Sequence, residues 1–166
     1  MNPLSIKKLG RNPYPKQIIV DIHSYCNAKC KVCPYDSLKT KIPMGVMDEN
    51  LFTKIIDEFA ELSKANLFRG QVLFCNMGEL FVRPAMAIDR MNYVIQSGLD
   101  FNIQTNAALL HPSVIDRLKN SGFQGVIVIS LHGISPNVYK DSMGLDVTGT
   151  LRNIGSCFSK LLQLTE

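Results

Sequence analysis

The spacing of apolar and polar residues along the chain switches between a strand period and a helix period. Four short apolar runs of strand type occupy residues 17–22 (QIIVDI), 71–75 (QVLFC), 99–105 (LDFNIQT) and 125–131 (GVIVISL). The third run places Leu99, Phe101 and Ile103 on one side, which is typical of a half-buried strand. The fourth run is apolar without a break, and this pattern predicts a strand that is covered on both faces.

A helical spacing follows each run. The first helix is predicted to begin after Asp48, whose side chain can cap it. Its apolar residues share one face, namely Leu51, Phe52, Ile55, Ile56, Phe59 and Leu62. Pro84 and Pro112 stand where two further helices begin. A short helix is expected after Ser135, and a last one from about residue 150 towards residue 164.

Four strand–loop–helix units in a row predict parallel strands joined by right-handed helical crossovers. The chain has 166 residues, whereas a closed eight-stranded barrel of this kind needs about 250. The predicted fold is therefore of the α/β class, and it is half of a barrel, an open sheet or a truncated protein. We expect residues 1–16 to form an extended lead-in, because Pro13 and Pro15 favour extended backbone, and residues 17–166 to form one core domain.

Composition narrows the class of protein. Hydrophobic residues make up 46% and charged residues 19% of the chain, so we expect a globular domain. The net charge is +4, there is no Trp, and the densest basic run is broken by cysteines, so nucleic acid is not an expected partner. We expect no membrane association and a cytoplasmic location, because no apolar stretch is long enough to span a bilayer and the N-terminus lacks a secretory pattern.

Reactive and polar residues collect directly after the four predicted strands. His23 and three cysteines follow the first strand, and Met77-Gly78-Glu79 follows the second. Asn106 follows the third strand, and Ser130-Leu131-His132-Gly133 closes the fourth. In parallel α/β folds the loops at the carboxyl ends of the strands carry the active site. We therefore expect these four loops to meet on one rim.

Cys26, Cys30 and Cys33 form a Cys-x3-Cys-x2-Cys triplet, in which three thiolates can bind one small cluster from a single loop. The chain has five cysteines, an odd number, so a disulfide framework is not expected. Three cysteines leave one iron of a cubane 4Fe–4S cluster open to another ligand, unlike the four-cysteine ferredoxin arrangement. A zinc site made of these cysteines and His23 is the alternative, although zinc ligands are usually spaced as separated pairs.

The chain resembles the radical S-adenosylmethionine (radical SAM) superfamily, whose hallmark is this triplet after a first strand. Other segments resemble family motifs in the same order: Met77-Gly78-Glu79 a Gly-Gly-Glu stretch, Thr105-Asn106-Ala107 a Thr-Asn-Gly stretch, and Ser130-Leu131-His132-Gly133 a Ser-Leu-Asp-Gly stretch. Tyr139, Met143-Gly144 and residues 151–154 follow as in members with C-terminal cluster-binding (SPASM-type) extensions. The resemblance covers about residues 17–155 and implies a partial (β/α) TIM-like barrel, with about four of the usual six units and a truncated C-terminal side.

The resemblance implies an oxidoreductase that binds a 4Fe–4S cluster and SAM. Such an enzyme cleaves SAM reductively to a 5′-deoxyadenosyl radical, which abstracts hydrogen from a substrate. The resemblance assigns cluster ligation to Cys26, Cys30 and Cys33, and SAM positioning to Val32, Gly78, Glu79, Asn106 and Ser130, with His132 on the rim. The expected partners are an unidentified substrate (a peptide, a sugar or a small molecule) and a one-electron reductant such as flavodoxin or ferredoxin.

Four positions depart from the family pattern. The residue before the third cysteine, which is often aromatic and close to the adenine of SAM in the family, is Val32. Met77 replaces the first Gly of Gly-Gly-Glu, and Leu80 stands where Pro is common. Met143 occupies a position where many relatives carry an Arg that contacts the SAM carboxylate.

Structural roles compete with chemical ones at several positions. Cys75 and Cys157 are expected to be buried apolar side chains, and His23 can orient the cysteine loop through a hydrogen bond. Glu79 can bridge backbone amides without touching SAM, and Asn106 can serve as a turn residue. For the whole chain, the alternative function is a truncated, non-catalytic module that binds an iron–sulfur cluster or zinc. An electron-transfer protein is disfavoured because no fourth cysteine lies near the triplet.

Overall fold

The fold is a parallel sheet whose strands are connected by helices. The computed structural model describes residues 14–35, 41, 43–74 and 77–162. The elements are, in chain order, β1 (Gln17–Val20), α1 (Glu49–Lys64), β2 (Gln71–Phe74), α2 (Pro84–Gln96), β3 (Phe101–Thr105), α3 (Pro112–Asn120), β4 (Ile127–Ile129), α4 (Pro136–Met143) and α5 (Val147–Leu162), with a 3-10 turn at Leu80–Val82. Most of the predicted lead-in, and the predicted buried side chain of Cys75, lie outside the described residues.

The four strands pair in the order β1-β2-β3-β4, and every pair is parallel. Val72 of β2 lies opposite Phe101 of β3, and Ile103 of β3 lies opposite Ile127 of β4. All four carboxyl ends therefore point to one edge of the sheet. This arrangement confirms the predicted α/β class and the parallel order, and it is consistent with a partial barrel.

The helices begin where the sequence places caps and prolines. Asp48 Oδ1 accepts a hydrogen bond from the N–H of Leu51 at 3.0 Å, which satisfies one of the open donors at the start of α1. Pro84, Pro112 and Pro136 occupy the first turns of α2, α3 and α4. Among the described residues, no helix combines the length and the apolar character that crossing a membrane requires.

The main core lies between the sheet and the helices. Aromatic rings cross it in sequence, with centroid separations of 6.0 Å between Phe52 and Phe74, 5.8 Å between Phe74 and Phe101, and 4.9 Å between Phe101 and Phe123. Each such ring contributes about 1.5–3 kcal/mol when it is fully buried. Cys157 of α5 belongs to the same core and is 4% exposed, which confirms the prediction that it is a buried apolar side chain.

Two predictions about burial are wrong. β4 is not covered on both faces, because Val126 and Val128 have exposed fractions of 59% and 46%. Val126 and Val128 are two residues apart and share one face, which is open to solvent within the described part of the chain. An apolar run alone does not report whether both faces of a strand are covered. Leu51 is 49% exposed although it was expected on the buried face of α1. The buried face of α1 contains Phe52 and Ile56 instead, which are four residues apart and lie on the same side of the helix.

Candidate functional site

A cavity of about 270 Å³ opens at the carboxyl ends of the four strands. Its walls come from the loop after β1 that carries the three cysteines (residues 23–33, the cysteine loop) and from the loops after β2, β3 and β4. The lining residues that the sequence singled out are Cys26, Cys30, Val32, Cys33, Gly78, Glu79, Asn106, Ser130, His132 and Met143. The structure thus brings the predicted cluster ligands and SAM residues to one place. A larger cavity, of about 520 Å³, lies at the opposite end of the sheet and is lined by none of them.

The three cysteines differ in exposure. Cys26 and Cys30 are partly buried, whereas Cys33 is exposed. The N–H of Ala28 donates to Cys26 Sγ at 3.4 Å, a contact that favours the thiolate. Burial has the larger effect and raises the pKa of the Cys26 thiol. A metal that binds there must therefore displace a proton, so its uptake should depend on pH.

The donor set has the chemistry of an iron–sulfur cluster. Such clusters are held by cysteine thiolates, and three cysteines line the same cavity. Among the residues that the structure describes, no three Cys, His, Asp or Glu side chains converge as the ligands of one ion would. In a cubane cluster each cysteine binds a different iron, so the three sulfur atoms do not have to converge on a single metal atom.

His23 is buried and holds the start of the cysteine loop. Its Nδ1 accepts the N–H of Tyr25 at 3.2 Å, so Nε2 carries the proton and donates to the carbonyl of Leu80 at 3.2 Å. Burial lowers the pKa of His23, which favours the neutral ring. Because both ring nitrogens are engaged, His23 is not arranged as a zinc ligand. It orients the loop, as one of its two sequence interpretations predicted.

The loop after β2 lies directly against the cysteine loop. The N–H of Glu79 donates to the carbonyl of Tyr25 at 2.8 Å, and the N–H of Met77 donates to Asp21 Oδ1 at 2.9 Å. Gly78 has a φ of +97°, and a Cβ at this position would lie 2.7 Å from the Tyr25 carbonyl oxygen. The approach of the two backbones therefore requires glycine here.

The Glu79 carboxylate joins the loops after β2 and β3. It is 2% exposed, and it accepts hydrogen bonds from Thr105 Oγ1 at 2.6 Å, the N–H of Asn106 at 2.7 Å and the N–H of Phe81 at 3.3 Å. Burial raises the pKa of Glu79, and these three hydrogen bonds oppose that shift. Of the two interpretations that the sequence left open, the structure shows the bridge between loops.

The Asn106 side chain makes a turn and a contact between loops. Its Oδ1 accepts the N–H of Ala108 at 3.0 Å, which is an Asx turn. Its Nδ2 donates to Asn27 Oδ1 at 2.8 Å and so reaches the cysteine loop. Sequence reasoning missed Asn27, because no local pattern connects it to a partner 79 residues away.

Ser130 and Val32 line the cavity in different ways. The N–H of Ser130 donates to the Thr105 carbonyl at 2.9 Å, and its Oγ accepts from Gln104 Nε2 at 3.4 Å. Val32 is 80% exposed, so it offers an apolar surface that an occupant of the cavity can cover. Gln104 and Thr105 also line the cavity. Thr105 was predicted as part of the motif that ends β3, without a role of its own, whereas Gln104 was missed. Its position near the carboxyl end of β3 was the signal that could have found it.

A buried arginine supports the site from α2. Arg90 is 7% exposed, and its guanidinium donates to the carbonyl of Met47 at 2.6 Å and to that of Ile22 at 3.4 Å. Its Cζ also lies 4.7 Å from the ring centroid of Phe52. Arg90 therefore ties the end of β1 to the segment that leads into α1. Sequence reasoning missed it, because most arginines on helices are solvated.

Comparison with known proteins agrees with this geometry. The family described as the Radical SAM superfamily matches residues 20–159. The AdoMet-dependent heme synthase of Methanosarcina barkeri is 26% identical over 131 residues, which are 79% of this chain and 35% of that protein. The tungsten-containing aldehyde ferredoxin oxidoreductase cofactor-modifying protein of Pyrococcus furiosus is 28% identical over 107 residues, which are 64% of this chain and 28% of that protein.

Solved structures show the same fold. SuiB of Streptococcus suis bound to its precursor peptide SuiA has a TM-score of 0.66 and 19% identity, and the match covers 90% of this chain and 32% of SuiB. SuiB bound to S-adenosylmethionine gives a TM-score of 0.65 and 18% identity, with 90% and 33% covered. The chain spans about a third of the length of the curated relatives it matches. It belongs to the radical SAM superfamily, a family of enzymes, which confirms the family predicted from the motifs.

Proposed function

We propose that this chain is the part of a cytoplasmic radical SAM enzyme that binds a 4Fe–4S cluster and SAM. The observation that most supports the proposal is the cavity that unites the cysteine triplet with the loops after β2, β3 and β4. In this proposal Cys26, Cys30 and Cys33 hold the cluster, and one iron stays open because there are three thiolates. The bound cluster supplies the electron for reductive cleavage of SAM.

Val32, Gly78, Glu79, Asn106 and Ser130 are proposed to position SAM. Gly78 brings the loop after β2 close to the cysteine loop, and Val32 offers an exposed apolar surface beside it. Glu79 contributes through its backbone and through the loops it joins, because its carboxylate oxygens already accept three protein hydrogen bonds. Asn106 in turn ties the loop after β3 to the cysteine loop.

A one-electron donor and a substrate complete the proposal. Cys33 is exposed, so a reductant such as flavodoxin or ferredoxin can come close to the cluster loop, and electron transfer needs a short path. The substrate is proposed to be a peptide, a sugar or a small molecule. The structure of SuiB with a precursor peptide supports the first of these classes.

Replacement of single cysteines tests the ligand set. Wild-type protein reconstituted without oxygen should hold about four irons and four sulfides per chain. Cys30→Ala should lose most of both, because the cluster loses one of three ligands. Cys157→Ala is the matched control: this thiol is buried in the main core, so its loss should cost about 1 kcal/mol of stability and leave the iron content unchanged.

Two results would count against the proposal. Equal iron contents in Cys30→Ala and Cys157→Ala would contradict the assignment of the triplet as ligands. Zinc in place of iron, in protein purified without oxygen, would favour the alternative function, a non-catalytic metal-binding module.

A further inference from the structure

Two backbone hydrogen bonds connect the middle of the cysteine loop to the C-terminal turn of α4. The N–H of Lys29 donates to the Met143 carbonyl at 2.9 Å, and the N–H of Lys31 donates to the Ser142 carbonyl at 3.0 Å. These two donors flank Cys30, so the backbone on both sides of this cysteine is held. The last carbonyls of a helix lack partners within the helix, and here the cysteine loop satisfies two of them.

Cys30 also packs against an apolar cluster that is separate from the main core. The buried members of this cluster are Tyr139 and Met143 of α4 and Val147 of α5, with exposed fractions of 0%, 1% and 3%. Cys30 and Leu145 pack against them. The Met143 side chain is therefore a buried apolar support at the position where many members of the family carry an arginine.

Gly144 allows the two segments to approach this closely. It ends α4 with a φ of +72°, and its N–H donates to the Lys140 carbonyl at 2.9 Å. A Cβ at this position would lie 3.3 Å from Lys29 Cβ and 3.6 Å from Lys29 N. The first separation is tighter than most van der Waals contacts and the second is ordinary, so a side chain at 144 would require Lys29 of the cysteine loop to move by a few tenths of an ångström. An ion pair between Lys31 and Asp141 joins the same segments at the surface.

We propose that the C-terminal turn of α4, residues 140–144, is a positioning element that holds Cys30 in place to bind the cluster. This inference rests on the proposed function above, in which Cys30 is a cluster ligand. The start of the loop has its own anchor in the hydrogen bonds of His23 and Tyr25. The α4 turn therefore controls the middle of the loop without supplying a ligand.

Two glycines make a matched test of this inference. Gly144 and Gly122 have φ values of +72° and +75°, so alanine is equally strained at both. A Cβ at Gly122 meets nothing within 4 Å, whereas a Cβ at Gly144 meets the cysteine loop. Gly144→Ala and Gly122→Ala should lose similar stability, but only Gly144→Ala should disturb the loop. Asparagine tolerates this backbone region, so Gly144→Asn and Gly122→Asn serve if the alanine pair folds poorly.

Hydrogen exchange of single amides measures the docking in the full chain before any cluster is added. In Gly144→Ala the amides of Lys29 and Lys31 should exchange about fivefold faster than in wild type, the effect of losing roughly one hydrogen bond. In Gly122→Ala these two amides should keep the wild-type rate relative to Ile103, whose N–H donates to Val126 at 3.0 Å in the sheet and reports global opening.

Cluster retention then links the docking to the proposed function. After reconstitution, Gly144→Ala should lose iron to a chelator about fivefold faster than Gly122→Ala. Suppose that the wild type takes up iron, but that the two glycine variants show equal exchange of the Lys29 and Lys31 amides and equal rates of iron loss. This result would overturn the inference and leave the proposed function standing. A wild-type protein that takes up no iron would overturn the proposed function and the inference together.

Discussion

Replacement of Glu79 by alanine should destabilise the protein, because it removes a buried acceptor that two loops share. The carboxylate accepts the N–H of Asn106 at 2.7 Å, the N–H of Phe81 at 3.3 Å and the hydroxyl of Thr105 at 2.6 Å. Alanine leaves these donors inside the protein without that acceptor. Each of the two backbone N–H groups then costs about 1–3 kcal/mol.

The expected loss is smaller than the sum over these donors. Burial raises the pKa of Glu79, so the ionised carboxylate carries a desolvation cost that alanine removes. We therefore expect the free energy of unfolding to fall by about 3 kcal/mol in Glu79→Ala. In Glu79→Gln the amide oxygen can still accept the N–H of Asn106, whereas the N–H of Phe81, the most distant donor, loses its acceptor. We therefore expect the free energy of unfolding to fall by about 1 kcal/mol in this variant.

The assay is urea unfolding followed by circular dichroism. Glu58→Gln is the control, because Glu58 lies on the exposed side of α1 and its replacement should change stability by less than about 0.5 kcal/mol. A loss below about 1 kcal/mol in Glu79→Ala would refute the reasoning, because buried donors without partners must cost more than that.

The pH dependence of the same variants tests the charge. The folded pKa of Glu79 is raised above its unfolded value of about 4.3. Between these two pKa values the folded state binds more protons than the unfolded state, so this group's contribution to stability falls as pH rises through that window and is constant above it. Glu79→Gln lacks this titration. The wild-type stability should therefore decline relative to Glu79→Gln as pH rises from about 4.3, and a difference that rises with pH would contradict the account.

Three further predictions concern the surroundings of the site. Arg90→Met should lower the unfolding free energy by about 1–3 kcal/mol in urea titrations, because the Met47 carbonyl loses its Arg90 donor, whereas the Ile22 carbonyl still accepts the N–H of Met47 at 3.0 Å. Ala107 has a φ of +60° and is fully buried, so in Ala107→Gly the relief of backbone strain should offset the lost methyl contacts, and the change should stay within about 1 kcal/mol. Ala87→Gly, at an equally buried position inside α2, should lose about 1–2 kcal/mol in the same titration. The folded pKa of His23 is lowered, so wild-type stability should fall relative to His23→Gln as pH drops below about 6.5, measured by thermal unfolding across pH.

The parallel sheet and the place of the site were predictable because both follow from local patterns. Apolar runs and prolines place the strands and helices, and the right-handed crossover rule aligns the carboxyl ends of the strands. The cysteine triplet and Glu79 had to meet at that edge once the strands were parallel. The exposure of Val128 was not predictable in this way, since an apolar run does not report whether a second layer covers both faces of the strand.

The contacts that hold the site together were not predictable from spacing. Asn106 reaches Asn27 from 79 residues away, and Lys31 pairs with Asp141 from 110 residues away. Hydrophobic periodicity reports which face of an element is buried, but it does not say which polar group will be opposite. For the same reason the sequence did not distinguish Arg90 from an ordinary helix residue, whereas the structure shows it buried with the carbonyls of Ile22 and Met47 as partners.

Cleavage of SAM by the reconstituted protein tests the central claim most directly. Protein with a full cluster is mixed with SAM and dithionite without oxygen, and 5′-deoxyadenosine is measured by chromatography, with Cys30→Ala as the negative control. The account predicts 5′-deoxyadenosine from the wild type and none above background from Cys30→Ala. A wild-type protein that holds about four irons per chain and forms no 5′-deoxyadenosine would contradict the claim that this chain binds SAM for radical chemistry.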